Sequence, residues 1–214
     1  TAVFPIWLKT GYRYIYIQCK MSNASNPHMN YSYMTFQRRK NGKVNFLRGW
    51  KNYVNGFGNP NGEYWVGLEN VYLLTRQNKR ALTHGYSTIR PTLRIDMKDW
   101  DGVRAYAVYK RFTISSDKYN YQVSDIGKRT GTVVKQAVSD PFFREEFTSF
   151  DHIREGLIFY SHCPQPTNGG WWFSFCSHSN LNGRYPGPLE KMSVHNIYWR
   201  SWSYINKNNS ALRY

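Results

Sequence analysis

Gly169-Gly170-Trp171-Trp172-Phe173-Ser174-Phe175-Cys176-Ser177-His178-Ser179-Asn180-Leu181-Asn182-Gly183-Arg184-Tyr185 is the stretch around which the chain is organised. Two glycines lead into two adjacent tryptophans, so the backbone turns tightly and then presents two large rings in opposite directions. Cys163 precedes Cys176 closely enough to close a short loop around them. Asn182-Gly183 makes the next turn, since both residues tolerate positive φ. The pattern reads as a small looped subdomain pinned by one disulfide. A loop of this size adds about 3 kcal/mol by constraining the unfolded chain.

The surroundings agree with an irregular β protein. The chain has 214 residues, enough for one large domain or one domain with subdomains. Eighteen tyrosines, twelve phenylalanines and eight tryptophans favour β structure over a helical bundle. No stretch resembles a transmembrane span or a signal sequence. The start at Thr1 reads as a removed leader or a trimmed sequence. Three sequons, Asn23-Ala24-Ser25, Asn30-Tyr31-Ser32 and Asn208-Asn209-Ser210, sit in polar, turn-like settings. With a Cys163–Cys176 bridge they point to a secreted, extracellular protein.

Charge is unevenly placed. The net charge is +16. Residues 1–137 hold 22 Lys/Arg against 7 Asp/Glu, while residues 138–214 hold 7 against 6. The basic field therefore belongs to the first two-thirds. Such a field attracts polyanions such as heparan sulfate, nucleic acid or acidic lipid, and salt weakens the attraction. A generally cationic surface serving solubility is the plainer reading.

Along the chain, Tyr12 to Cys19 alternates as a strand, with Tyr12, Tyr14 and Tyr16 on one side. Residues 22–32 read as a loop. Thr35 to Phe46 reads as two short strands flanking Asn41-Gly42, a hairpin signal. Leu68, Val71 and Tyr72 fall at helical spacing, before Leu74-Thr75 ends the helix. Residues 76–90 read as an exposed basic loop. Leu93–Met97 and Ala105–Ile114 read as strands around an Asp99-Trp100-Asp101-Gly102 turn, where the acids cap backbone groups. Tyr119–Val123 reads as a strand and Gly127–Gly131 as a turn.

Several of these stretches, in this order, resemble the fibrinogen C-terminal (fibrinogen-related) domain, the family of ficolins, tachylectins, tenascins, angiopoietins and the fibrinogen chains. The carriers are Phe36-Gln37-Arg38-Arg39 with Asn41-Gly42, Trp50 with Tyr53 and Gly56-Phe57-Gly58-Asn59, Gly62-Glu63-Tyr64-Trp65-Val66-Gly67-Leu68, Leu93-Arg94-Ile95-Asp96-Met97 with Asp99-Trp100-Asp101-Gly102, and the GGWW to SNLNG stretch. The resemblance covers about residues 12–202. It implies an α+β fold with a central twisted, mainly antiparallel sheet, short helices and a loop-rich ligand subdomain. Its parts would be an N-terminal subdomain (1–34), a sheet subdomain (35–137), the ligand subdomain (138–203) and a closing tail (204–214).

The resemblance also implies sites, and this chain departs from each. Cys19 matches a family cysteine paired with one further upstream; no earlier cysteine exists here, leaving Cys19 free, bridged to another chain or orphaned. The family holds calcium with aspartates two positions apart. Asp151 keeps the first, but Ile153 replaces the second and Arg154 adds positive charge, so little or no calcium binding is expected and Ile153 is expected to pack inside; Glu155 could compensate in part. No cofactor or metal site is otherwise expected. In ficolin-like lectins an acetyl group is received beside the second loop cysteine, held by a cis peptide. The corresponding residues here are Phe175, Cys176 and Ser177, with Tyr185, Tyr198 and Trp199 as walls, unless Phe175 plugs the pocket. His152, His162, His178 and His195 lack helical metal spacing and read as surface or hydrogen-bonded histidines. Trp171 and Trp172 read as packing residues.

No nucleophile elbow, phosphate loop, dinucleotide fingerprint or zinc-type Cys/His pairing is present, so an enzyme is not expected. The expected function is a secreted recognition or adhesion module, lectin-like toward acetylated or other glycans, as in invertebrate immune defence, acting as an oligomer for avidity. The alternative is a structural or adhesive subunit that has lost calcium and sugar binding and engages acidic glycans or a protein partner through its basic scaffold. Nucleic acid is not the expected partner.

Overall fold

A computed structural model of the chain describes residues 1–20, 32–77, 79–82, 85–88, 91–133, 142–153, 169–174, 178–205 and 210–213. Strand β1 (Ala2–Leu8) pairs antiparallel with β2 (Arg13–Lys20), and β2 with β3 (Tyr33–Thr35). Ile15 and Ile17 of β2 and Leu8 of β1 turn inward. β1 was not evident from sequence because Pro5 interrupts it; as an edge strand it tolerates the missing donor.

The hairpin expected at Asn41-Gly42 does not form. Strand β4 (Gln37–Arg38) pairs instead with β6 (Tyr64–Trp65), which also pairs with β5 (Phe57–Gly58). Between β4 and β5 lies a short helix, α1 (Trp50–Asn55). Helix α2 (Leu68–Arg76) runs past the expected stop and buries Leu68, Val71, Leu73 and Leu74. The stretch read as a basic loop holds a second hairpin, β7 (Lys79–Leu82) with β8 (Gly85–Thr88).

Strand β9 (Leu93–Lys98) pairs with β10 (Arg104–Tyr109) around the expected turn. Asp99 accepts the Val103 amide at 2.9 Å, and Asp101 accepts the Ser210 hydroxyl at 2.6 Å. The single strand expected over 105–114 divides, because β11 (Phe112–Ile114) leaves β10 to pair with β12 (Val123–Ile126). Tyr119–Val123 is not a strand: Asp117–Tyr119 is a 3₁₀ turn, followed by left-handed Asn120 and Tyr121. The turn expected at 127–131 contributes β13 (Arg129–Gly131), added to the other edge of β10.

The last third is built from two-residue ladders: β14 (Phe147–Thr148) with β15 (Trp171–Trp172), and β16 (Ser179–Asn180) with β17 (Tyr198–Trp199). All named strand pairs are antiparallel, and the α+β class holds. The sheet, however, is divided into small pieces, so aromatic packing carries much of the cohesion. Trp65, Phe147 and Trp172 meet at 5.0–6.1 Å between ring centroids. The tail closes the fold through bridges from Leu212 to Asp99 and from Ser210 to Lys191.

Candidate functional site

The tryptophan loop is built by close approach. Trp171 and Trp172 are both buried, with ring centroids 5.3 Å apart. Their indole N–H groups donate to the Ser179 hydroxyl at 3.0 Å and the Tyr121 carbonyl at 2.8 Å. Both rings thus serve packing, as expected, though the two directions they take both lead into core. Gly170 is required here, since a Cβ would stand 2.7 Å from ring carbons of Phe147 and Tyr53. Asn182 donates to the Gly170 carbonyl at 2.9 Å and closes the turn.

A buried ion pair fastens this loop to the central region. Arg39 is 4% and Glu63 3% exposed, with guanidinium and carboxylate 3.9 Å apart. Arg39 donates to the carbonyls of Leu181 (3.2 Å) and Gly183 (2.6 Å) and lies over the Phe46 ring at 3.9 Å. Glu63 accepts the backbone amides of Lys40 (2.7 Å), Asn41 (3.1 Å), Gly42 (3.0 Å) and Val44 (2.9 Å). Burial would raise the Glu63 pKa, but the four amides outweigh it and hold the carboxyl below its ordinary value. Burial pushes Arg39 down to about 10 against the pull of Glu63, so it stays charged at neutral pH. Sequence matching identified both residues but gave neither a role, because nothing local joins positions 39, 63 and 183.

Of the expected sugar-site residues, Phe175, Cys176 and Ser177 lie outside the described residues, as does the Cys163–Cys176 bridge. The sequons at Asn23, Asn30 and Asn208 lie outside them as well. Tyr185 is half-buried and donates its hydroxyl to the Lys40 carbonyl at 2.7 Å, so it braces the Gly42 turn. Tyr198 is half-buried on β17. Trp199 is 1% exposed and packed on Phe142 at 6.3 Å, so its ring belongs to the core rather than to an exposed surface. His178 is half-buried, its pKa lowered by burial and by Arg200.

The run matched to the family's calcium pattern is held by hydrogen bonds and stacking. Asp151 accepts the Trp50 amide and the Ser149 hydroxyl, at 2.8 and 2.7 Å. His152 stacks on Trp50 at 3.8 Å and meets the Asn120 side chain at 2.9 Å. Ile153 does not pack inside; it is 50% exposed, beside Phe150 at 49%. Arg154 and Glu155 lie outside the described residues. Cys19 carries a free thiol, inward-facing on β2 and 9% exposed, with its pKa raised by burial.

Basic side chains converge elsewhere. A cleft of about 1150 Å³ runs beside β3, β4, β9 and β10. Exposed Lys20, Lys40 and Lys110 and half-buried Arg38 and Arg94 line it. Asp96, paired with Arg94 at 2.8 Å and Lys20 at 3.8 Å, is the one acid among the described lining residues. Among the described residues no group of acids, histidines and cysteines could hold a metal ion, and no helix is long and apolar enough to cross a membrane.

Comparison with known proteins places this architecture. Human angiopoietin-2 is 40% identical over 168 residues, covering 78% of this chain and 31% of that protein. Human angiopoietin-4 is 37% identical over 189 residues, covering 84% and 35%. The chain thus spans about a third of the curated relatives it matches. The solved fibrinogen-like globe domain of human ANGPTL2 superposes with a TM-score of 0.75 at 27% identity, over 100% of this chain and 88% of that one. That of human ANGPTL6 gives 0.76 at 27% identity, over 99% and 85%. The family model for the C-terminal globular domain of fibrinogen beta and gamma chains matches residues 3–211, and the chain belongs to that family.

Proposed function

We propose that this domain is a non-catalytic extracellular recognition module that binds acidic glycans through its basic face. The observation that carries the reading is the cleft lined by Lys20, Arg38, Lys40, Arg94 and Lys110, with Asp96 as its one described acid. Its cations are part of the charge excess of the first two-thirds. Membership of a family of extracellular globes supports the setting. Repeated copies in an oligomer would convert a weak site into avid binding.

The test is retention on immobilised heparin across a salt gradient. The domain is expected to elute above physiological ionic strength, and Arg38→Glu with Lys110→Glu to elute much earlier, because both reverse charge at partly exposed positions. Passage through the column at low salt would refute the reading. A second reading is binding of acetylated sugars around Cys176, with the half-buried rings of His178, just before β16, and Tyr198, on β17, as candidate contacts. Salt-resistant binding to N-acetylated glycans would identify it.

A further inference from the structure

The outer face of the β1–β2 hairpin carries a row of rings that the core does not use. Pro5 lies opposite Tyr16 and Trp7 opposite Tyr14 in the ladder, so these four side chains share one face. The opposite face is the buried one, with Leu8, Ile15 and Ile17 turned into the core. Trp7 is 42%, Tyr14 64% and Tyr16 66% exposed, and Tyr12, in the turn, 83%. Trp7 and Tyr14 already sit together, ring centroids 4.8 Å apart and inclined at 56°. A contiguous exposed aromatic surface of this kind marks an interaction site.

Its chemistry selects the occupant. The exposed members are rings with polar ends rather than aliphatic chains, so each offers a flat apolar face and, for the tyrosines, a hydroxyl beside it. A sugar ring needs that combination: its C–H face stacks, and its hydroxyls find donors and acceptors. Residues 1–20 hold Lys9, Arg13 and Lys20 and no Asp or Glu. Lys20 alternates onto the face of Tyr14 and Tyr16, beyond the buried Gln18, and belongs also to the basic cleft. Its pairing with Asp96 is exposed, at 64% and 47%, and water screens it. Arg13 points to the other side, donating to Asn70 at 2.7 Å.

We infer that the Trp7–Tyr14–Tyr16 face is a glycan-stacking platform, on which an acidic polysaccharide lies with its sugar rings against the aromatics and its charged groups toward Lys20 and the cleft. This rests on the acidic-glycan reading and gives it a second half, in which cations attract and rings hold.

The experiment measures affinity of the whole chain for a heparin oligosaccharide of defined length, at several salt concentrations, by tryptophan fluorescence and calorimetry. Trp7→Ala with Tyr14→Ala is expected to weaken binding about tenfold at every salt concentration and leave the salt slope unchanged, since no charge is lost. Trp7→Phe with Tyr14→Phe keeps the rings and is expected to restore most of the affinity. Lys20→Glu is expected to flatten the slope. Tyr119→Ala, at an exposed ring in the Asp117–Tyr119 turn, controls for surface substitution in general. Wild-type binding unmoved by the Trp7/Tyr14 change would overturn the platform and leave the basic cleft standing. Absence of wild-type binding would overturn both. A concentration-dependent dimer that the Trp7/Tyr14 change abolishes, with heparin affinity unmoved, would assign the rings to a second copy of the chain and overturn the inference.

Discussion

Glu63→Gln tests how the domain is held together. Glu63 is 3% exposed, accepts four backbone amides within 3.1 Å and faces the buried Arg39 guanidinium at 3.9 Å. Glutamine has nearly the same shape, so no cavity forms. It removes the charge, and turns an NH₂ group toward amides that are themselves donors. It also leaves Arg39 charged and buried without its counterion. Removing one partner of a buried pair costs about 3–5 kcal/mol. For a domain of this size that lowers Tm by about 6–20 °C. Urea unfolding at neutral pH, followed by tryptophan fluorescence, reads the difference directly. The dependence on pH supplies a second signature. The folded Glu63 pKa lies below its ordinary value, so its contribution is fully present above the ordinary carboxyl range near pH 4.3 and is lost as pH falls through the lower folded value. The gap between wild type and Glu63→Gln should therefore narrow on acidification. A gap under about 1 kcal/mol at neutral pH, or one that does not change down to pH 3, would refute the account of Glu63 as the anchor of residues 40–44.

Three further perturbations probe other parts. Gly170→Ala should cost about 1–3 kcal/mol by forcing a methyl against the Tyr53 and Phe147 rings, read as a lowered Tm; an unchanged Tm would mean the rings have room to yield. Millimolar calcium should leave Tm within about 1 °C of its metal-free value, because Asp151 is committed to Trp50 and Ser149 and Ile153 has no oxygen to offer; a rise of several degrees would restore a calcium site. Cys19 should react with iodoacetamide roughly a hundredfold more slowly in the native chain than in denaturant, since its thiol is buried with a raised pKa; equal rates would place the sulfur at the surface.

Local pattern located the regular elements well where neighbours in sequence are neighbours in space. The i, i+3, i+4 spacing of Leu68, Val71 and Tyr72 marks α2, and alternation marks β2 and β9. Where pattern misled, a distant residue had the stronger claim. Asn41-Gly42 does turn, with Gly42 at φ 71°. The amides on either side of that turn are taken by the Glu63 carboxylate, so they cannot also form a hairpin ladder, and Gln37 and Arg38 pair with Trp65 and Tyr64 instead. The aromatic run at Tyr119–Val123 fails as a strand for a similar reason. Left-handed Asn120 and Tyr121 turn the chain so that the Tyr121 carbonyl meets the Trp172 indole and the Asn120 carbonyl meets the Phe147 amide.

The same logic explains why site residues were harder to read than fold. Ile153 is apolar, and hydropathy alone sends it inward. Its loop is fixed by Asp151 on the Trp50 amide and by His152 on the Trp50 ring, which leaves Ile153 on the water side. Trp199 looks like a binding aromatic beside the loop, yet pairing with Ser179 across β16–β17 sets it against Phe142 in the core. Three of the rings that do face solvent, Trp7, Tyr14 and Tyr16, belong to a hairpin half hidden by Pro5. An aromatic in this chain is therefore a poor guide to binding until its strand partner is known. Thirty-eight of the 214 residues are Phe, Trp or Tyr, and many of those described are buried beside aliphatic side chains in one core cluster. The exposed minority is informative for that reason: a fold that spends rings so freely inside has no structural use for three of them on the outer face of one hairpin.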